Sequence, residues 1–277
     1  MLTKVEDVVF GTWGISGAFG VYSLKDIQKV VFAAVDLGIK IFDSAIVYKN
    51  GEMDAFLHKI LPSDCIISTK IPALVKPKNS EQFFDIETAY PIEYVKNTLN
   101  VVGKFFSNRP FIVQLHNWHH SWCPNKLLNT MLQYKGGNLI KIGVSVPDEY
   151  NSEYPEGFDM VQSAYNLLNH RHTEYFKKNL GEKWGREVFC HGVLTKLETP
   201  AYSVYDARSK KITPELLDNF YDLKKALNVD TAEDLKTEAI KFCISQEWID
   251  KIVIGFTKVE QVENFSQIFS NLITNQR

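Results

Sequence analysis

Short apolar, β-branched runs alternate with amphipathic stretches along this chain. The runs are VVF near 8–10, IKIFDSA at 39–45, CIISTKI at 65–71, FIVQLHN at 111–117, IKIGVSV at 140–146, MVQSAYN at 160–166, EVFCHGV at 187–193 and KIVIGF at 251–256. Their nearly continuous apolar character suits strands of a parallel sheet covered on its outer face. Between them, SLKDIQKVVFAAVDLG predicts a helix over 23–38: Ile27, Val30, Val31, Ala34 and Val35 recur on one face, and Ser23 and Gly38 sit at cap-like ends. IEYVKNTLNVVGKFF, NKLLNTMLQY, TEYFKKNL, TAEDLKTEAIKFCISQ and KVEQVENFSQIFSNL repeat the theme. Strand followed by helix, about eight times over, predicts an α/β chain folded as a single (β/α)8 barrel domain over residues 1–277.

A doubly wound open sheet is the competing architecture, and it calls for a Gly-rich phosphate turn after an early strand. No G-x-G-x-x-G occurs; GTWGISGAFG after the first strand is rich in glycine but lacks that spacing. Two irregularities are expected within the barrel. PDEYNSEYPEGFD (147–159), broken by Pro155 and Gly157, predicts a stunted fifth helix, and TKLETPAYSVYDARSKKITP (195–214) is long enough for a functional lid.

Composition narrows the function classes. The chain has 277 residues, 45% of them hydrophobic, which is enough to bury a full core. A net charge of −2, from 31 basic and 33 acidic residues without long runs of either sign, gives no polyanion footprint and argues against a nucleic-acid partner. Cys65, Cys123, Cys190 and Cys243 are widely spaced, as expected of reduced thiols in a cytoplasmic protein. The N-terminus MLTKVEDVVFGTW has no signal-peptide pattern and no window is apolar enough to span a bilayer, so no membrane partner is expected.

The strand ends of a parallel barrel form its active face, and four polar residues fall there. Asp43 ends IKIF, Tyr48 follows five residues later, Lys70 ends CIISTK and His116 ends FIVQLH. Each alone has a plainer reading, as a helix cap, a loop aromatic, a snorkelling lysine or a core histidine. Together they are harder to explain structurally, because buried strand ends rarely hold Asp, Lys and His unless these are paired. A lysine cation beside a phenol favours the phenolate and brings tyrosine toward useful proton transfer. Asp43 would orient Lys70, and His116 would bond a carbonyl oxygen, polarising it for hydride attack. Side chains supply no hydride, so a cofactor must.

The order FDSAIVY, STK, QLHN, IGVSV, VQSAYNLLN closely resembles the aldo-keto reductase superfamily across nearly the whole chain. The resemblance implies a (β/α)8 barrel that reduces aldehydes or ketones with NADPH, and it matches Asp43, Tyr48, Lys70 and His116 to the family's catalytic tetrad. It also implies cofactor contacts from Gly11, Thr12 and Trp13 in the opening loop, from Ser145, and from Gln162 to the nicotinamide amide. Val146 stands where the family usually has Asn. Phe189, with His191 as a substitute, is the candidate for stacking on the nicotinamide ring.

Thr257 and Lys258, at the start of the last helix, form an expected anion site for the cofactor phosphates. Glu260 and Gln261 occupy the turn where the family often has arginine, which narrows the choice of NADPH over NADH. Trp13 and Trp118, with Phe19 and Trp122 nearby, are expected walls for a small-molecule carbonyl substrate. The chain ends at Arg277 without the long C-terminal loop of many relatives, and in this it resembles reductases of bacterial polysaccharide and nucleotide-sugar pathways. A keto-sugar or sugar-aldehyde substrate follows from that likeness. The histidines of HNWHH, with His170, His172 and His191, lack the spacing and acidic partner of a metal site, so no metal is expected. Two alternatives remain: a cofactor-binding regulatory barrel whose activity has decayed, and a cofactor-assisted sugar epimerase or lyase.

Overall fold

A computed structural model describes residues 2–76, 84–119, 122, 125–147, 155–171, 173–199 and 201–274. Its strands are β1 (Val8–Gly11), β2 (Ile41–Asp43), β3 (Ile66–Ile71), β4 (Phe111–Leu115), β5 (Leu139–Ser145), β6 (Met160–Ala164), β7 (Glu182–Arg186) and β8 (Lys251–Ile254), and they close in that order as a barrel. The helices are α1 (Leu24–Leu37), α2 (Glu52–Ile60), α3 (Ile86–Ala89), α4 (Ile92–Phe105), α5 (Asn125–Tyr134), α6 (Thr173–Lys178), α7 (Pro214–Leu227), α8 (Ala232–Ile244) and α9 (Val259–Thr274). This is the (β/α)8 architecture expected from the alternating pattern. No helix among the described residues is long and apolar enough to cross a membrane.

The chain packs as two compact units. The first comprises Met1–Ile39, Tyr165–His170 and Gly185–Arg277. Here β1 pairs in parallel with β8, and α1 packs on α9. The caps of α1 are those the sequence predicts. Ser23 accepts from the Asp26 amide, and Gly38 takes the left-handed conformation (φ 104°) that ends the helix without a Cβ clash. Ile27, Val30, Val31 and Ala34 are buried, and Val35 is half-buried at the edge of the same face. A local core of Cys190, Val193, Leu194, Phe220, Leu235 and Ala239 gathers the segment after β7 onto α7 and α8. Phe189 packs on its margin.

The second unit, Lys40–Ala164 with Arg171–Trp184, holds β2 to β6 in a parallel ladder. Its register places Asp43 opposite Ser68, Lys70 opposite Gln114 and Ser145 opposite Gln162. Because alternate residues share a face, Ser68 and Lys70 point one way and Thr69 the other. Gly143 allows β5 and β6 to meet: a Cβ there would stand 2.5 Å from Met160 Cγ and 2.7 Å from its carbonyl oxygen. Arg109, buried in the turn before β4, caps the end of α2. Its guanidinium donates to the carbonyl oxygens of His58 (2.9 Å), Leu61 (3.0 Å) and Pro62 (3.5 Å).

One expectation is corrected here. The seventh strand is Glu182–Arg186, not 187–193; EVFCHGV instead forms a turn with Glu187 (φ 64°), Cys190 (φ 43°) and His191 (φ 56°) all left-handed, running into a 3-10 helix at Cys190–Thr195. The long 195–214 connection carries a 3-10 turn at Ala207–Lys210 and ends at the Thr213 cap of α7. Most of the segment expected to hold a stunted fifth helix, together with Cys123, His120 and His172, lies outside the described residues.

Candidate active site

The ends of β2, β3, β4 and β6 bring buried polar side chains together in the second unit. Lys70, 2% exposed, places Nζ 2.6 Å from both carboxylate oxygens of Asp43 and 2.8 Å from the Ser44 carbonyl oxygen. Asp43 Oδ1 also accepts from Gln162 Nε2 (3.1 Å) and Gln114 Nε2 (3.3 Å), and Gln114 Nε2 contacts Ser68 Oγ at 2.8 Å. The carboxylate therefore meets a cation and two amides, the satisfaction a buried charge requires.

Tyr48 begins a short 3-10 turn (Tyr48–Gly51) that leads into α2. Its ring meets the His116 ring edge-on, with centroids 6.3 Å apart and an interplanar angle of 79°. Both residues are half-buried, whereas Asp43 and Lys70 are sealed. Thus the buried ion pair and the tyrosine–histidine pair belong to the same unit and arise from the strand ends and loops predicted to carry them. Gln114 was not anticipated, although a lone polar residue inside the apolar run FIVQL was a visible signal.

The expected cofactor residues fall in both units. In the second, Gln162 is fully buried with its amide nitrogen on Asp43, and Ser145 Oγ lies 3.4 Å from Gln162 Oε1. The neighbouring Val146 is buried and donates its amide to the Gln162 carbonyl oxygen at 2.8 Å. In the first unit, Thr12 is buried and Trp13 is half-buried, its ring edge-on to Phe19 (5.0 Å) and His191 (6.1 Å). His191 Nε2 stands 3.2 Å from Glu187 Oε2. Gly11 and Gly255 face each other closely: a Cβ on Gly255 would lie 3.2 Å from the Gly11 carbonyl oxygen.

At the start of α9, exposed Gln261 folds back over the helix end. Its Oε1 accepts from the Thr257 amide (2.7 Å) and the Lys258 amide (3.3 Å) and lies 3.3 Å from the Thr257 hydroxyl. These donors already converge on one oxygen acceptor at a helix N-terminus. A phosphate oxygen in place of that side chain would meet the same donors, so this end of α9 fits the phosphate part of a dinucleotide.

Trp118 does not form the open wall expected of it. It is 1% exposed and packs edge-on against Trp122 (5.7 Å) and Phe158 (5.9 Å), while Trp122 Nε1 donates to the Phe84 carbonyl oxygen. Both tryptophans tie loops together.

The model of the Aldo/keto reductase family matches residues 7–277. The chain belongs to the aldo/keto reductase family. Like its family, it is an NAD(P)H-dependent oxidoreductase. An uncharacterized oxidoreductase of Schizosaccharomyces pombe is 28% identical over 204 residues, covering 69% of this chain and 67% of that protein. Among solved structures, the holo form of an aldo-keto reductase from Bacillus halodurans superposes with a TM-score of 0.70 at 17% identity, over 97% of this chain and 91% of that one. An aldo-keto reductase from Klebsiella pneumoniae in complex with NADPH gives 0.58 at 11% identity, over 95% and 85%. At these identities the structural likeness speaks for the shared fold.

Proposed function

We propose that this reductase converts an aldehyde or ketone to the alcohol with NADPH, Tyr48 giving the proton to the carbonyl oxygen. The observation that carries the reading is the sealed Asp43–Lys70 ion pair in the unit that also holds the edge-on Tyr48–His116 pair. A buried ion pair is a poor device for stability alone, since apolar residues of similar size commonly serve as well. As part of a proton-transfer site its presence has a reason.

The nicotinamide, when bound, supplies the hydride that reduces the carbonyl carbon. The side chains handle the proton. His116 orients the carbonyl oxygen beside the Tyr48 phenol, and the phenol protonates the developing alkoxide. Lys70 stabilises the phenolate left behind, and Asp43, fixed by Gln114 and Gln162, holds the ammonium in place. Water then restores the phenol proton, so one carbonyl, one hydride and one solvent proton give one alcohol.

Thr257, Lys258 and Gln261 are the residues we assign to the phosphates, and Gly11, Thr12, Trp13, Ser145, Gln162 and Phe189 to the rest of the cofactor. NADPH is favoured by the family resemblance and by the NADPH complex of the Klebsiella pneumoniae relative, with NADH as the alternative. A keto-sugar or sugar-aldehyde is the substrate class favoured by the resemblance to polysaccharide-pathway reductases.

The test is consumption of NADPH with 4-nitrobenzaldehyde and with a panel of keto-sugars, compared with Tyr48→Phe. Turnover should fall at least about a hundredfold in that variant, whereas retention of most of the rate would remove Tyr48 from proton transfer. One observation favours a second reading, a cofactor-binding regulatory barrel: the Gln162 amide nitrogen is engaged by Asp43. Tight NADPH binding without turnover on any carbonyl would select it.

A further inference from the structure

Asp54 is a buried carboxyl that the scheme above does not use. It lies in the first turn of α2, 6% exposed, and its Oδ2 accepts a 2.5 Å hydrogen bond from Thr69 Oγ1. Thr69 immediately precedes Lys70 on β3, with its side chain on the opposite face of the strand. Ser44 also acts on Asp54. Its carbonyl oxygen receives the Lys70 ammonium at 2.8 Å, its amide donates to the Ser68 carbonyl oxygen at 2.7 Å, and its side chain favours the charged form of the carboxyl. Ser44 Oγ and Asp54 Oδ1 are both sealed from solvent, and neither makes a hydrogen bond of ordinary geometry. The residue that hydrogen-bonds Asp54 is therefore the one that precedes Lys70 in the chain, and Ser44, which acts on its charge, is the one that accepts from the ammonium.

This arrangement is costly for packing alone. Burying a carboxylate without a cation of its own is unfavourable by several kcal/mol, and burial is the main influence pushing the Asp54 carboxyl above the ordinary range. The Ser44 and Thr69 hydroxyls act in the opposite direction. Two further charges act on it: Lys70 favours the ionised form and Asp43 opposes it. The turn leading into α2 adds only Tyr48 and the exposed Lys49. Asp54 thus lies in the field of the catalytic ion pair while touching neither partner through a hydrogen bond.

We propose that Asp54 is a positioning residue of the carbonyl-reduction site that acts through Lys70: held against β3 by Thr69, it weakens, when ionised, the field that Lys70 presents to the Tyr48 phenol. This rests on the reading that Lys70 tunes Tyr48 as proton donor. With Asp54 neutral, Asp43 remains the counter-charge bonded to the ammonium. Ionised Asp54 adds a second negative charge behind the lysine, so the phenol holds its proton more tightly. Removing that charge releases the phenol proton at lower pH.

The test is a spectrophotometric titration of tyrosinate, in which the difference between each variant and the same variant carrying Tyr48→Phe isolates Tyr48. Asp54→Asn is expected to lower the Tyr48 midpoint by about half a pH unit or more. Thr69→Val, nearly isosteric, removes the hydrogen bond that helps Asp54 ionise and should move the midpoint in the same direction by less. In the alcohol-oxidation direction, which needs the phenolate, the rising limb of kcat against pH should shift with it. A merely structural Asp54 would lower thermal stability and turnover equally at every pH and leave the midpoint in place. An unmoved midpoint in both variants overturns the proposal. Lys70→Met separates the two levels of the argument, because it should raise the midpoint. If it does and Asp54→Asn is silent, only the role of Asp54 falls; if Lys70→Met is itself silent, the tuning of Tyr48 by Lys70 falls and the role of Asp54 with it.

Discussion

The Lys70 ammonium stands 2.6 Å from both oxygens of Asp43, and both side chains are almost entirely withdrawn from solvent. Removing one partner of such a pair leaves a buried charge without its counter-charge, which typically costs about 3–5 kcal/mol. Asp43→Asn should therefore lower unfolding stability by an amount near the lower end of that range, since Asn retains a hydrogen-bonding oxygen. Asp43→Asn combined with Lys70→Met should regain most of the stability and none of the turnover. Urea unfolding alongside NADPH-dependent reduction of 4-nitrobenzaldehyde measures both; recovery of activity in the double variant would show that the pair is structural.

Gln114 bridges Ser68 Oγ and Asp43 Oδ1 from the adjacent strand. Gln114→Leu keeps the volume and deletes the amide, so Asp43 is held by fewer donors. The expected result is a roughly tenfold fall in kcat with little change in KM, matching the loss of one hydrogen bond to a charged group. Gln114→Glu, which sets a second carboxylate against Asp43, should fall further. Equal activity in all three proteins would mean that Asp43 needs no support from β4.

The segment after the Cys190–Thr195 turn is pinned to the loop after β1 by Arg208. Its guanidinium lies 4.0 Å from the Phe19 ring centroid and 4.1 Å from that of Tyr202, pairs with Asp206 at 2.6 Å, and is flanked by the Ala207 amide donating to the Ala18 carbonyl oxygen. The hydrogen bond from Arg208 holds the Asp206 carboxyl below the usual carboxylate range. A carboxyl depressed in the folded state contributes stability above its unfolded value of about 3.9 and loses it as pH falls through the folded value. Asp206→Asn should thus destabilise the protein at pH 7, by about 1–2 kcal/mol, the size of one lost hydrogen bond to a charged group. The difference from the parent should shrink as pH drops below about 4. Denaturant unfolding across that range decides it, and a gap that widens toward acid would refute the assignment.

Much of this architecture was legible in the chain because parallel strands and their covering helices leave distinct periodicities. The caps of α1 and the residues of its buried face could be named from Ser23 through Gly38. The seventh strand could not. EKWGR looks polar, yet Trp184 and Gly185 are buried, Trp184 Nε1 donates to Glu182 at 2.8 Å, and Lys141 of β5 pairs with Glu182. The more apolar EVFCHGV was misleading for the converse reason: Cys190 and Val193 point into the local core beside α7 and α8, so its hydrophobicity reports burial without a ladder. At the site, Asp43 and Lys70 were readable as charges at strand ends. Asp54 was not, because an acidic residue in the first turn of a helix is ordinary, and only the fold shows that this one is enclosed.

Tyr48 owes its setting partly to a residue that takes no part in chemistry. The turn it begins passes through left-handed Lys49, Asn50 and Gly51 into α2, and the far end of that helix is gripped by the Arg109 guanidinium, donated by the entry to β4. Reactive groups and their anchorage are thus inherited from different stretches of chain. Swapping the short connection before β4 for that of a relative would carry a change of catalytic alignment with it, even though every group that meets the substrate stayed the same.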